Sequence, residues 1–120
     1  MNRLARSVSL HPYFKVNPGQ LEAAKALLHE FVTQSTSEPE LLYYEFTING
    51  DEVFCREAYT SAAGVLAHLT NVSAHLDRML SMSKLARLEI HGPAEELDQL
   101  RGPLGGLNPA WFVWECGVSA

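Results

Sequence analysis

The sequence predicts an α+β fold of the split β-α-β kind, in which helices cover one face of an antiparallel sheet. Two observations predict it. Segments of alternating hydrophobicity are interleaved with segments of helical periodicity in the order β-α-β-β-α-(α)-β-α-β. Asn49-Gly50 also joins two neighbouring strands in a tight hairpin. With 120 residues, 47% of them hydrophobic, the chain has the length and balance of one globular domain over residues 1–120.

The first strand is predicted at 7–16, where apolar and polar side chains alternate. Pro12 has no N–H to give to a neighbouring strand, so we expect this strand to lie at a sheet edge or to bulge at that point. The first helix is expected to start at an Asn17 N-cap, with Pro18 in the first helical position and Gln20 closing a capping box.

The polar run 33–40 ends that helix, and strands are predicted at 41–49 and 52–60. Both strands are rich in aromatic and β-branched residues, which favour extended backbone. The Asn49-Gly50 pair between them suits a turn that needs positive φ, so the two segments form a hairpin.

A second helix is predicted to begin at a Ser61 N-cap, to loosen at Asn71 and to continue over 72–82. The alternating segment 84–91 follows as the fourth strand. Because a strand, a helix, a hairpin of two strands and a second helix precede it, this fourth strand completes a split β-α-β core.

Gly92-Pro93 opens a short helix that Gly102-Pro103 is expected to stop, and a last strand is predicted at 110–117. In this arrangement the helices cover only one face of the sheet, although several strands are apolar on both sides. A second copy of the same sheet is the simplest cover for the other face.

Composition excludes several classes of function. The formal net charge is −5 and the nine basic residues are scattered, which argues against nucleic-acid and anionic-membrane surfaces. The longest apolar runs are too short to cross a bilayer or to form a signal peptide, so we expect a cytoplasmic protein. Cys55 and Cys116 lie in apolar segments and are expected to be buried, inert thiols. Neither belongs to a Cys/His cluster with zinc spacing, so no metal site is predicted.

Three polar side chains are candidates for catalysis. Glu57 and Tyr59 are two residues apart in one predicted strand, so they share a sheet face, and His68 lies on the following helix. If that face meets the helices, Tyr59 lines a cavity and Glu57, partly buried, takes a proton or holds a substrate hydroxyl. The alternative is structural, with Glu57 paired to Arg56, Arg87 or a helix N-terminus.

Five further side chains are candidates for substrate binding: His11, Tyr13, Tyr44, His75 and Trp111. The first two share one side of the first strand, which we expect to lie beside the cavity mouth. His75 follows His68 by seven residues, or two helical turns. Aromatic walls with few polar groups suit a flat aromatic ligand, although aromatics in such number also fill cores and dimer interfaces.

Three segments resemble the antibiotic biosynthesis monooxygenase family. They are FKVNPGQ at 14–20, SEPELLYY at 37–44, and EAYTS at 57–61 followed by Ala-His-Leu at 67–69. The last is similar to the family's Glu-x-Trp/Tyr-x-Ser and Ala-x-His signature. The chain departs from the family pattern at Glu40, where Gly is usual, and at Tyr59, where Trp is common.

The resemblance implies a homodimer of ferredoxin-like subunits, the dimeric α/β barrel, with a cavity between helices and sheet in each subunit. Active members of the family oxidise electron-rich phenols or quinols with dioxygen and use neither flavin nor metal. A small aromatic molecule and dioxygen are then the expected partners, with no cofactor, and His68 corresponds to the family histidine. Two alternatives remain open: a non-catalytic ligand-binding or stress-response module, and a lyase or isomerase acting on a lactone.

Overall fold

A computed structural model describes residues 4–119, so the ends of the predicted 1–120 domain lie outside the described part. The described residues form β1 (Val8–Val16), α1 (Leu21–Ser35), β2 (Leu41–Asn49), β3 (Glu52–Tyr59), α2 (Ala62–Asn71), α3 (Ser73–Ser81), β4 (Ser83–Gly92), α4 (Ala94–Asp98), α5 (Arg101–Leu104), a 3₁₀ turn (Gly105–Leu107) and β5 (Ala110–Val113). The strands make one sheet in the order β2-β3-β1-β4-β5. The predicted α+β fold with helices on one face of the sheet is confirmed. The sheet differs from the predicted antiparallel sheet in one detail: β5 pairs with β4 in parallel.

The first strand occupies the middle of the sheet, between β3 and β4, so of the two alternatives expected at Pro12 the sheet edge is not the one observed. The expected irregularity at Pro12 is present. The register between β1 and β3 has no pair at positions 11 and 12, and the register between β1 and β4 shifts just after Tyr13. The sheet therefore accommodates the missing N–H of Pro12 by interrupting one ladder.

The first helix starts later than predicted, because Asn17 begins a turn instead of capping the helix. The N–H of Gln20 donates to the carbonyl of Asn17 at 3.1 Å, and Gly19 has a φ of +80°. Positive φ is incompatible with a helical residue, so the helix begins only at Leu21.

The hairpin and the interrupted second helix agree with the sequence prediction. β2 ends at Asn49, β3 begins at Glu52, and Gly50 adopts the positive φ of +62° that its turn requires. The second helix ends at Asn71, and α3 starts two residues later. The chain bends at this break and presents the Asn71 side chain to the loop before β2.

The C-terminal part departs most from the prediction. Gly102-Pro103 does not stop a helix but lies inside the short α5. A proline is tolerated there because N–H groups in a first turn have no partner within the helix. The last strand ends at Val113, four residues before its predicted end. Cys116 is consequently exposed, which contradicts the prediction of a buried thiol, whereas Cys55 is buried as expected.

Two hydrophobic clusters lie between the sheet and its helices. The first joins β1 and β4 to α2, α4 and α5, and its largest members are Leu10, Tyr59, Leu88, Ile90, Leu97, Leu100 and Leu104. The second joins β1 and β3 to α1 and α3 through Phe14, Val16, Leu27, Leu28, Phe31, Val53, Val72 and Met79. Across residues 4–119, every helix is too short or too polar to pass through a bilayer.

Candidate functional site

A cavity is lined by members of both hydrophobic clusters. Its walls come from β1, β2, β3 and β4 on the sheet side and from α1, α2, α3 and the α5 region on the helix side. The lining is formed by Leu10, Pro12, Phe14, Phe31, Tyr44, Phe46, Cys55, Glu57, His68, Leu69, Val72, Leu76, Met79, Leu85, Leu88, Leu104 and Leu107. The volume of the cavity is about 60 Å³. Nearly all of this wall is hydrocarbon, so the candidates for chemistry are its few polar groups.

Glu57 contributes the carboxyl group of the cavity. It points from β3 towards the helices and is only 5% exposed. Burial raises the pKa of Glu57, while the nearby His68 and a hydrogen bond from Tyr59 oppose that rise. Tyr59 lies behind Glu57 instead of lining the cavity, and its hydroxyl donates to Glu57 Oε1 at 2.7 Å. Burial also raises the pKa of Tyr59, so this phenol remains a hydrogen-bond donor.

His68 faces Glu57 from the last turn of α2 and is 2% exposed. Its Nε2 lies 3.6 Å from Glu57 Oε1, beyond the range of a direct hydrogen bond. The ring of Tyr44 meets the imidazole edge-on, with 4.8 Å between the ring centres. Glu57, His68 and Tyr44 therefore lie together in the cavity wall, with Tyr59 directly behind Glu57. That these residues act in catalysis stays a prediction.

The other side of His68 is held by Glu38, which the sequence did not single out as a site residue. His68 Nδ1 is 3.0 Å from Glu38 Oε1 and 2.9 Å from Oε2. The amide nitrogen of Asn71 donates to Glu38 Oε2 at 2.8 Å and to the backbone oxygen of Gln34 at 2.9 Å. Glu57, His68, Glu38 and Asn71 thus form a polar row in an otherwise apolar region, and hydrogen bonds connect its members from His68 to Asn71.

The two arginines named in the structural alternative for Glu57 bind other carboxylates. Arg56 donates to Glu45 at 2.7 Å, and Arg87 donates to Glu89 at 2.6 Å. Both arginines lie on the uncovered face of the sheet, opposite to the side chain of Glu57.

The start of α2 is fixed by two carboxylates from outside the helix. Glu96 Oε1 accepts the N–H of Ala62 at 2.9 Å. Glu40 Oε1 accepts the hydroxyl of Ser61 at 2.6 Å, so Ser61 precedes the helix without capping it with its own side chain. The helix also packs closely against Glu40, since a Cβ at Gly64 would lie 2.7 Å from Glu40 Cβ. These contacts determine where α2 places His68.

His11 and Tyr13 lie on the opposite face of the sheet, so their predicted place beside the cavity mouth is wrong. Side chains alternate along a strand, and Pro12 between them lines the cavity. On the uncovered face, Tyr13 packs against Phe54 with 4.7 Å between ring centres. His11 packs edge-on against His91 at 4.6 Å.

His75 and Trp111 also lie outside the cavity lining. The His75 ring packs against the ring of Phe31 at 5.6 Å and borders a surface groove beside α1. The break in the helix after Asn71 removes the two-turn alignment with His68 that the spacing suggested. Trp111 packs against the first hydrophobic cluster, with the guanidinium of Arg101 4.8 Å from its ring centre.

No cluster of three or more His, Cys, Asp or Glu side chains within the described residues is placed to hold a metal ion. What the site offers is proton chemistry. It has a buried carboxyl with a raised pKa, an imidazole beside it, and a second carboxyl behind the imidazole.

Comparison with solved structures identifies several similar chains. MupZ from Pseudomonas fluorescens shares 40% sequence identity, superposes with a TM-score of 0.91, and matches over 96% of this chain and 95% of its own. Rv0793 from Mycobacterium tuberculosis is 20% identical, with a TM-score of 0.65 over 72% of this chain and 94% of its own. A protein from Nitrosomonas europaea, named as a candidate antibiotic biosynthesis monooxygenase, is 18% identical, with a TM-score of 0.67 over 75% and 92%.

The last two comparisons show a shared fold, in agreement with the resemblance seen in the sequence. No protein-family profile matches the chain, and no curated protein matches it. The similarity to MupZ is greater than to these two proteins, because it combines 40% identity with nearly complete coverage of both chains. The chain therefore belongs to the same protein family as MupZ of Pseudomonas fluorescens.

Proposed function

We propose that this protein is a cofactor-independent monooxygenase that oxidises a small phenol, quinol or polyketide-like aromatic with dioxygen. One observation carries the proposal: the carboxyl of Glu57 is buried at the wall of an apolar cavity, with the imidazole of His68 beside it. The fold neighbours named as candidate antibiotic biosynthesis monooxygenases lend it support.

The proposed role of Glu57 is to take the hydroxyl proton of the substrate. Burial raises the pKa of Glu57, which makes its carboxylate a stronger base than an exposed glutamate. Glu57 Oε1 and His68 Nε2 are 3.6 Å apart, so one substrate oxygen can lie within hydrogen-bond distance of both. Tyr59 keeps the carboxyl oriented through its hydroxyl.

Removing that proton makes the substrate an electron-rich phenolate, which can reduce dioxygen directly. For a simple phenol, the substrate and one dioxygen molecule give a quinone and one water molecule, so the substrate supplies all the electrons. A wall made almost entirely of hydrocarbon excludes water and strengthens the electrostatic interaction between the phenolate and its neighbours.

Oxygen uptake with a panel of hydroquinones and naphthols tests the proposal. We expect uptake matched by quinone formation in the wild type, and a loss of about 10²- to 10⁴-fold in kcat for Glu57→Gln and His68→Ala. His29→Ala, at an exposed histidine of α1, is the matched control and should keep full activity. Absence of uptake across the panel, or full activity in Glu57→Gln, would refute the proposal.

A lyase or isomerase is the second candidate function, and the raised pKa of Glu57 favours it. A carboxyl that holds its proton at higher pH can act as an acid towards a lactone or a similar oxygen function, with His68 as the complementary base. Such a reaction proceeds without dioxygen. Turnover that continues under anaerobic conditions would favour this candidate, whereas ligand binding without turnover would indicate a non-catalytic module.

We also propose that the active form is a homodimer joined through the uncovered face of the sheet. A row of rings crosses that face from Tyr13 and Phe54 through His11 and His91 to Phe112. Phe112 is 43% exposed, and such apolar surface is commonly covered by a partner. Sedimentation should give twice the 13.3 kDa chain mass. Phe112→Glu should lower that mass to one chain, and Val118→Glu, at an exposed tail residue, should not.

A further inference from the structure

Glu38 approaches His68 from the turn between α1 and β2, on the side away from the cavity. Both of its oxygens lie within hydrogen-bond distance of Nδ1, at 3.0 and 2.9 Å. The Glu38 side chain is only 9% exposed, so water does not compete strongly for these bonds. This contact is therefore part of the buried structure around the site.

The orientation of Glu38 is itself fixed by Asn71. The Asn71 amide nitrogen donates to Glu38 Oε2 at 2.8 Å, and Asn71 Oδ1 accepts from the Gln34 side chain at 2.8 Å. These bonds identify the two ends of the Asn71 amide and make Glu38 an acceptor. A carboxylate can only accept, so the hydrogen shared with His68 belongs on Nδ1.

A hydrogen on Nδ1 leaves Nε2 of the neutral ring with a lone pair, aimed towards Glu57. The distance of 3.6 Å between Nε2 and Glu57 Oε1 agrees with this assignment. If Nε2 carried the hydrogen, the two atoms would be expected at about 2.7–3.2 Å. With Glu57 ionised, as its proposed role as a base requires, two acceptors face one gap, and they bind a group that donates hydrogen.

We propose that Glu38 is a positioning residue that holds the proton of His68 on Nδ1, so that the site selects a substrate whose reacting oxygen carries a hydrogen. The inference rests on the proposed function for its catalytic consequence. Alcohols and phenols fit the gap between Nε2 and Glu57, whereas the corresponding ethers have no hydrogen to donate. Glu38 touches no substrate, and it acts through the tautomer of His68.

Nitrogen-15 NMR of the histidine rings tests the tautomer directly and needs no substrate. Spectra are recorded at a pH where the imidazole is neutral, and the signals that disappear in His68→Ala assign the ring. We expect the hydrogen on Nδ1 in the wild type, and a shift towards the Nε2–H form in Glu38→Gln and Glu38→Ala. Glu22→Gln, at an exposed residue of α1, should leave the His68 signals unchanged. A wild-type ring with its hydrogen on Nε2, or an unchanged tautomer in Glu38→Ala, would overturn the inference.

Kinetics then separate positioning from a merely structural role. With a substrate that the wild type oxidises, Glu38→Gln should lower kcat by roughly 10- to 100-fold, in keeping with other residues that orient a functional histidine. KM should change by less than about threefold, because Glu38 does not touch the substrate. If no oxidation is found in the wild type, the proposed function fails while the NMR result still decides the tautomer. If Glu57→Gln is inactive but Glu38→Gln keeps full kcat, the positioning role alone is refuted.

Discussion

The carboxylate of Glu96 links three parts of the chain, and its removal gives the most direct test of how α2 is held. Glu96 is 3% exposed. Its Oε1 accepts the N–H of Ala62 at 2.9 Å, while Arg6 donates to Oε2 at 2.9 and 3.1 Å. The Ala62 N–H is one of the groups at a helix N-terminus that have no partner within the helix. A residue more than thirty positions away therefore caps the helix that carries His68.

The size of the effect follows from these contacts. Glu96→Gln keeps an oxygen for Ala62 but loses a charge at the helix N-terminus, about 0.3–1 kcal/mol. It also removes the ion pair with Arg6, which contributes at most about 1 kcal/mol because the Arg6 side chain is 72% exposed. Glu96→Ala additionally leaves the buried N–H of Ala62 without an acceptor, about 1–3 kcal/mol. We therefore expect a loss of about 1 kcal/mol for Gln and about 2–4 kcal/mol for Ala.

The dependence on pH gives a second, independent readout. The bond from Ala62 N–H, more than the charge of Arg6, lowers the pKa of Glu96 below its ordinary value of 4.5. A lowered pKa means that the carboxylate stabilises the fold above pH 4.5 and that this contribution is lost as the pH falls through the folded pKa. The stability of the wild type should therefore approach that of Glu96→Gln in acid.

Urea unfolding monitored by circular dichroism, repeated from acid to neutral pH, measures both quantities. Glu95→Gln, at the exposed neighbouring residue, is the matched control and should change stability by less than about 0.5 kcal/mol. A neutral-pH loss below about 0.5 kcal/mol in Glu96→Ala would contradict the capping role. If the difference in the free energy of unfolding between the wild type and Glu96→Gln grows as the pH falls, the direction of the pKa shift is contradicted.

Three further predictions follow from single contacts. Gly64→Ala should lower the free energy of unfolding in urea by about 1–3 kcal/mol despite the better helix propensity of Ala, because its Cβ would lie 2.7 Å from Glu40 Cβ. This loss should be smaller in a Glu40→Gly background, and additive effects of the two substitutions on stability would refute the clash. Burial raises the pKa of Glu57, so the stability contributed by the protonated Glu57 is complete below pH 4.5 and is lost as the pH rises through the folded pKa. Glu57→Gln should therefore become more stable relative to the wild type as the pH rises. If the free energies of unfolding of the two proteins follow the same course with pH, this prediction fails. Iodoacetamide should modify the exposed Cys116 of the folded protein but not Cys55, whose buried thiol has a raised pKa; mass spectrometry of native and unfolded samples distinguishes the two sites.

The parts of the fold that were predictable from sequence depend on local chemistry. The Asn49-Gly50 turn needs positive φ, and no distant contact is required to see it. The start of α1 is not predictable from the residue types, because Asn-Pro-Gly suits both a helix cap and a turn. Only the φ of +80° at Gly19 shows that a turn forms. The central place of β1 is not predictable from Pro12 alone. Pro12 removes one hydrogen bond, but the pairing of the other residues on both sides outweighs that loss.

The site was predictable only where its members lie close in sequence or match a known motif. The two-residue spacing of Glu57 and Tyr59 places them on one sheet face, and the resemblance pointed to His68. No comparable sequence signal points to Glu38, which precedes His68 by thirty residues and contacts it only because the turn before β2 packs against α2. His11 was misassigned because alternation alone does not tell which face of a strand meets the helices.

The polar row and the Glu96 contact together explain why His68 can be held in one orientation inside an apolar layer. Glu96 fixes the first N–H of α2, and Asn71, the last residue of that helix, is bonded to Glu38 and to Gln34 at the end of α1. Because hydrogen bonds anchor both ends, a shift or rotation of the helix would break at least one of them. The bond at Ala62 is buried, so leaving its N–H unsatisfied would cost about 1–3 kcal/mol, whereas the bonds of Asn71 are partly buried or exposed. The break after Asn71 is part of this arrangement, since it frees that side chain to reach Glu38. The proposed acid–base role requires its groups to be held within about 0.5 Å, and the contacts at both ends of this short helix restrict the position of His68 in the way that such a role needs.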